Sequence, residues 1–320
     1  MSPEKNINQP ELSIVVPLFN EEEIISELIQ RINAACMTAT DNFELIIVND
    51  GSKDQTLPSL LDLTTNVPEL AIVDLSRNFG HMQAVSAGLN FSSGKAVVIM
   101  DGDLQDPPEI IPEMMEKWKN GAEIVLACRT ERNEKRFQKA MTSIFYRIIK
   151  TIGEIPIPEQ VGTFCLLDKR IVNIINEMPE RARFFAGLRA WAGFRTEIIE
   201  YKRPERKNGH SKVGLLGQLN LAKRGIISFS NWPLVWLSRL SLLASIGLFL
   251  FGICIMGIKF FSDLAIPGWA STMVLVGMVS SMNSAVFAVF SEYLAIIFEE
   301  IKQRPHYLTS NIYRNGQTIE

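Results

Sequence analysis

The chain of 320 residues lacks the two glycine-rich signatures that most often mark a nucleotide site. Neither G-x-G-x-x-G nor G-x-x-x-x-G-K-[ST] follows its first strand-like run, which argues against dinucleotide and P-loop binding. Cysteine is scarce. Cys36, Cys128, Cys165 and Cys254 show no paired spacing, and Cys254 lies in an apolar run, so a disulfide framework or zinc site is not expected and a reducing compartment fits better. The opening MSPEKNINQPELS is polar and has no apolar h-region, so the front domain is expected to stay in the cytosol. Net charge is also small, −3 in total, but this hides a segregation. Residues 1–128 hold 7 basic and 20 acidic side chains, residues 129–240 hold 21 and 10, and residues 241–320 hold 4 and 5. An acidic front, a basic middle and a nearly uncharged apolar stretch imply parts with different partners, none of them a nucleic acid.

Two charge-free runs stand near the end. Leu240 to Ile258, bounded by Arg239 and Lys259, is about the length of a bilayer span, and Leu264 to Ser291, between Asp263 and Glu292, is long enough to span with tilt. Together they predict a transmembrane hairpin. Lys202, Arg203, Arg206, Lys207, Lys212, Lys223, Arg224 and Arg239 precede it and Lys302, Arg304 and Arg314 follow, against Lys259 alone in the connecting loop, so both termini are expected in the cytosol. Between Val213 and Ser230, Leu215, Leu216, Leu219, Ile226 and Ile227 fall near one helical face, which suits a helix lying in the interface. Trp232 and Trp236 read as interfacial anchors.

The front half alternates short β-branched runs with helical stretches. Residues 12–18, 43–49, 70–75, 95–100 and 122–127 read as strands of a mostly parallel, doubly wound sheet, which binds ligands beyond the carboxyl ends of its strands. Asn20 and Glu21, then Asp50-Gly51-Ser52, then Ser76-Arg77-Asn78, then Asp101-Gly102-Asp103 occupy those ends. Asp101 and Asp103, two apart around a glycine at the end of a buried strand, suit a hard divalent cation that itself holds a diphosphate.

IVVPLFNEEE (14–23), VNDGSKDQT (48–56), LSRNFGHMQAVSAGL (75–89) and MDGDLQDPPE (100–109) resemble the successive motifs of the family-two inverting glycosyltransferases, and the terminal hairpin narrows this to the branch similar to polyprenyl-phosphate glycosyltransferases and dolichol-phosphate mannose synthase. The resemblance runs from about residue 12 to about residue 308. It implies a Rossmann-like GT-A domain over 1–212, an interfacial helix over 213–231, a two-span hairpin over 232–298 and a cytosolic tail over 299–320. The enzyme would be a multi-pass protein of the inner (plasma) membrane and a homo-oligomer.

By the same resemblance Pro17, Asn20, Glu21, Asp50, Gly51 and Arg77 hold the nucleotide sugar, with UDP-glucose the first choice of donor. Asp101 and Asp103 bind Mg²⁺ or Mn²⁺, Gln105 lies near the sugar or acceptor phosphate, and Arg129, Arg132 and Lys212 (beside Ser211) face phosphates, with polyprenyl (undecaprenyl) phosphate the acceptor. One stretch departs from the pattern. Where the family commonly reads G-D-F-R-L, this chain has Gly162-Thr163-Phe164-Cys165-Leu166. A lipid monophosphate, with a second pKa of about 6, reaches the site already mostly anionic and needs little general-base help, so Thr163 need not abolish transfer. Two rival readings are a catalytically silent scaffold, motivated by Thr163 and Cys165, and a processive polysaccharide synthase. The latter normally needs a Q-x-x-R-W element that Gly187-Leu188-Arg189-Ala190-Trp191 does not supply.

Overall fold

The structure, a computed structural model, describes residues 9–130, 161–180, 183, 185–202, 239, 241–244, 246–247, 250–251 and 268–319. Within these residues β1 (Leu12–Leu18), β2 (Phe43–Asn49), β3 (Leu70–Leu75), β4 (Ala96–Ile99), β5 (Ile124–Arg129), β6 (Val161–Asp168), β7 (Thr196–Tyr201), β8 (Thr309–Arg314) and β9 (Gln317–Thr318) form one sheet in the order β7-β5-β6-β4-β1-β2-β3-β8-β9. The first five match the expected runs to within two residues at each end. The expectation of a mostly parallel sheet needs correction. β1–β2, β1–β4, β2–β3 and β5–β7 are parallel, whereas β4–β6, β5–β6, β3–β8 and β8–β9 are antiparallel. The reason is that β6 inserts between β4 and β5 and runs against both, and β8 returns along β3.

Every residue of β1 and β2 is buried, which is why these runs are continuously apolar instead of alternating. Side chains still divide by face with period two. Leu12, Ile14, Val16, Leu45, Ile47, Ile72, Val98 and Phe164 pack under α1 (Ile25–Ala39), α2 (Thr56–Thr64) and α4 (Ile111–Lys119). Val15, Ile46, Val48, Val97, Ile99 and Cys165 pack under α3 (His81–Phe91), α5 (Lys169–Glu177) and α6 (Phe185–Ala192). In α1 the buried positions Ile25, Leu28, Ile29, Ile32, Ala35 and Cys36 follow helical spacing, so one stripe meets the sheet. Each fully buried aliphatic side chain contributes about 1.5–3 kcal/mol.

The stretch expected to be a free tail supplies β8, which closes the β3 edge. Tyr313 packs against the first core face, and Arg314 reaches Glu44 at 3.5 Å. Glu44 is buried and accepts from Ser13 Oγ at 2.6 Å and from the Ser93 amide at 2.7 Å, so the C-terminal strand is tied to β1 and β2 through one carboxylate.

Between β7 and β8 stands α7 (Trp269–Ile301), 33 residues long. Its segment Leu275–Ala295 has a mean hydropathy of 1.3 and none of it is buried; Met278, Phe287 and Phe290 are all exposed. At about 1.5 Å per residue that segment is long enough to cross a hydrocarbon core. This segment overlaps the expected second run from Leu264 to Ser291, of which residues 264–267 lie outside the described residues, and the helix runs on through Glu299 and Glu300. Among the described residues this is one helix of that kind. The expected first span falls mostly outside them, with Leu242, Leu243, Ile246, Leu250 and Phe251 helical and exposed, and the interfacial helix falls wholly outside them.

Because β3 and β8 are hydrogen-bonded neighbours, the chain on either side of the apolar segments lies in one folded body. In membranes holding the protein, cysteines placed at the exposed Asn315 and Asp41 are expected to react identically with an impermeant maleimide, only when the compartment of the sheet is opened. Labelling of the two from opposite sides would contradict the β3–β8 pairing.

Candidate active site

The parallel register brings the carboxyl ends of β1, β2 and β3 into one row, Leu18 beside Asn49 and Asn49 beside Asp74. The loops leaving this row knit together. Asn20, held at a positive φ of 54°, donates its amide to Ser52 Oγ at 3.0 Å, and its Oδ1 accepts from the Lys53 amide at 2.9 Å. The Glu21 amide donates to Thr56 Oγ1 at 3.0 Å. Pro17 is buried within β1, paired with Val48.

Asp50, expected to face the nucleotide, has a structural task. Its two oxygens accept from the Phe79 and Gly80 amides at 2.7 and 3.0 Å and so shape the loop after β3. Burial pushes its carboxyl above the usual range despite those two donors. Gly51 follows at φ +64°, where a Cβ would lie 2.3 Å from the Arg77 carbonyl carbon, so no larger residue fits under this loop. Arg77 is exposed, its guanidinium 4.2 Å from the centre of the Phe79 ring.

Beyond β4 the chain turns through Asp101 to Asp106. A Cβ on Gly102 would lie 2.1 Å from Leu18 Cδ2, so the turn is pressed against the end of β1, and Leu104 takes a positive φ of 58°. Asp103 Oδ1 accepts from the Gln105 amide at 3.1 Å, and Gln105 is buried. His81, at the start of α3, places Nε2 3.3 Å from Asp101 Oδ1. Burial works against protonation of this imidazole, but the hydrogen bond and charge of Asp101, with Asp50 and Asp103 behind it, outweigh burial and raise its pKa.

Sequence reasoning missed two residues here. Asp106 is fully buried; its Oδ1 accepts from the Tyr201 hydroxyl at 2.7 Å and lies 3.7 Å from Arg129 Nη2. Burial and the nearby Asp101 charge push its carboxyl up to about 6, against the opposing pull of Tyr201 and Arg129. Tyr201, at the end of β7, also accepts from Arg129 Nε at 3.1 Å. Asp106 was visible in D-L-Q-D-P-P, but a third acid in a turn reads as solvated, and nothing local pairs it with β7.

Arg129 therefore stands at the end of β5, largely buried and held on two sides, beside the carboxylate turn. Cys165 is buried on the face of β6 that meets α6, and the Arg189 side chain comes against it. Burial raises the Cys165 thiol while Arg189 opposes this. Arg132, Lys212, Ser211 and the rest of the basic middle from 203 to 238 lie outside the described residues.

Among the described residues no group of three or more His, Cys, Asp or Glu side chains makes a protein-only metal cage. Asp101 and Asp103 offer only hard oxygen ligands, in a turn packed tightly enough to hold them together. That donor set fits a divalent cation that completes its shell with ligand phosphate and water.

A two-faced α/β sheet with an antiparallel strand beside its parallel core, gathering acids and a held arginine at one edge, is a GT-A-like fold. The model of glycosyl transferase family 2 matches residues 13–174. The uncharacterised glycosyltransferase YkcC of Bacillus subtilis (strain 168) is 40% identical over 302 residues, 94% of either chain. The SfII prophage-derived bactoprenol glucosyl transferase of Shigella flexneri is 36% identical over 307 residues, 95% of this chain and 99% of that one. A solved structure of glucosyl-3-phosphoglycerate synthase from Mycobacterium tuberculosis is similar at 19% identity, covering 69% of this chain and 78% of that one, with a TM-score of 0.46. The chain belongs to glycosyl transferase family 2 and is a glycosyltransferase.

Asp50→Ala leaves the Phe79 and Gly80 amides without their acceptor, a loss of about 1–3 kcal/mol per group where burial is complete. Native-state hydrogen exchange at these two amides is expected to quicken by at least tenfold, with β1 and β2 amides unchanged. Wild-type protection at both would contradict the assigned role of Asp50.

Proposed function

We propose that this glycosyltransferase moves a hexose, glucose in the first instance, from a UDP-sugar to polyprenyl phosphate at the cytosolic face of a membrane, with inversion in one displacement. The observation that carries the reading is that the turn bearing Asp101 and Asp103 is joined to Arg129 through Asp106, at the carboxyl edge of the sheet. A relative 36% identical over nearly its whole length is named for glucosyl transfer to bactoprenol, which supports the donor sugar and the acceptor class.

In this reading a lipid phosphate oxygen attacks the anomeric carbon with its own electron pair. The bond from that carbon to the donor diphosphate breaks, and its pair leaves on UDP. Asp101 and Asp103 hold Mg²⁺ or Mn²⁺, which when bound neutralises charge on the departing diphosphate. Gln105 lies beside the sugar. Arg129, joined by Arg132 and Lys212, fixes the acceptor phosphate, so that catalysis rests on placement. Asn20, Glu21, Gly51 and Arg77 line the donor side, and Pro17 and Asp50 support it from beneath.

Sheet closure supports the membrane part of this reading. If α7 crosses a bilayer, the return of β8 to the sheet calls for a second crossing between β7 and α7, for which Leu240 to Ile258 is the charge-free run. Both termini then lie on the side of the sheet.

Asp103→Ala is expected to lower transfer at least 100-fold, a loss of about 2.7 kcal/mol in transition-state stabilisation, while the protein still partitions into membranes. Chelation should give a comparable loss, reversed by Mn²⁺ or Mg²⁺. Full transfer by Asp103→Ala in metal-free buffer would exclude the site.

A further inference from the structure

The closed polar ring around Asp106 calls for a reason. Its Oδ1 takes the Tyr201 hydroxyl at 2.7 Å and lies 3.7 Å from Arg129 Nη2, Arg129 Nε donates to the same hydroxyl at 3.1 Å, and Asp106 Oδ2 accepts from the Asp101 amide at 3.3 Å. Three separate elements meet there. The parallel register sets Arg129 of β5 opposite Tyr201 of β7, and the Tyr201 ring stands edge-on to Phe164 of β6 at 5.8 Å and 77°. A Cβ on Gly162 would lie 3.0 Å from Arg129 Nη2, so β6 leaves just the room the guanidinium occupies.

A buried ion pair is a poor means of adding stability, since well-packed apolar groups of the same volume often do as well or better. What such a ring does supply is fixed geometry, because each member has one arrangement that satisfies the others. Here the fixed items are the backbone of Asp101, which begins the carboxylate turn, and the guanidinium of Arg129.

We propose that Asp106 is a positioning residue, with Tyr201 as its rigid spacer, that sets the carboxylate turn and Arg129 at the separation the transfer needs. This rests on the reading that Asp101 and Asp103 serve the donor and Arg129 the acceptor phosphate. Asp106 touches neither substrate. It holds the two halves of the centre in one frame, so that the donor diphosphate and the incoming phosphate are aligned by a single buried carboxylate.

Three variants separate the contributions. Tyr201→Phe keeps the ring and its contact with Phe164 but removes both hydrogen bonds; Asp106→Asn keeps an acceptor for Tyr201 and removes the charge; Asp106→Leu removes everything. With full-length enzyme in membranes or detergent, Tyr201→Phe is expected to lower kcat about tenfold and raise KM for polyprenyl phosphate, leaving KM for the UDP-sugar within twofold. Asp106→Leu is expected to lower kcat at least 100-fold and weaken Mn²⁺–UDP binding about tenfold, and Asp106→Asn to recover part of both.

A merely structural role would shift Tm and the yield of folded protein, and leave the constants per active molecule alone. Wild-type kcat and KM in Tyr201→Phe together with wild-type Mn²⁺–UDP affinity in Asp106→Asn and Asp106→Leu would overturn the proposal. Should the unaltered enzyme form no lipid-linked hexose, the transfer reading itself fails. The positioning role is then decided by Mn²⁺–UDP titration: weakened binding in Asp106→Leu supports it, and unchanged binding rejects it.

Discussion

Like-charge repulsion at the end of β4 is the constraint on which the rest of the site depends. Asp101, Asp103 and Asp106 fall within six residues, and Asp106 is fully buried. Unit charges several ångströms apart near a protein surface repel by on the order of 2–4 kcal/mol per pair. The fold meets this with positive charge and donors from different directions: His81 from α3 toward Asp101, Arg129 from β5 and the Tyr201 hydroxyl from β7 toward Asp106. In the proposed function, the remaining field at Asp101 and Asp103 is what would draw a divalent cation to the turn. A surface loop of the same sequence would relax by splaying its acids into water; here Gly102 against Leu18 denies it that freedom.

The same logic explains the charge segregation along the chain. The acidic front half contains the strand-end acids, although many of its other acids sit on exposed helix surface. The basic middle contributes Arg129 at one end, and its remaining basic residues between 203 and 238 lie outside the described residues. β8 then brings the chain back to β3, so that the apolar segments form an excursion from one folded body instead of a terminal appendage. In the proposed function, an excursion of that kind would hold the sheet edge at a set height above the membrane that carries a lipid-borne acceptor.

Much of this was legible in the amino-acid order. Runs such as LSIVVPL and FELIIVN announce buried strands because both of their faces are covered, and the polar residues directly after them mark the ligand edge. What local pattern could not supply was partnership. Strand β6 inserts between β4 and β5 against both, a choice made by tertiary packing, and so the sheet proved mixed. The segment at 309–314 looked like a tail because Ser310, Asn311 and Arg314 are polar, yet as a strand near one end of the sheet it needs only one apolar anchor, Tyr313. Asp50 was read as a nucleotide ligand, and no residue pattern reveals that its oxygens also accept from the Phe79 and Gly80 amides. Asp106 went unassigned because its partners, Arg129 and Tyr201, are 23 and 95 residues away.

The proposed transfer joins a hexose to a lipid phosphate at the edge that carries Asp101, Asp103 and Arg129. Its most direct test is to incubate the purified full-length enzyme with Mn²⁺, polyprenyl phosphate and UDP-glucose, UDP-N-acetylhexosamine or GDP-mannose in turn, and to identify the lipid product by mass and anomeric configuration. One inverted hexosyl polyprenyl phosphate is expected, strongest with UDP-glucose. Donor binding with no lipid product from any of the three, or a product with retained configuration, would contradict it.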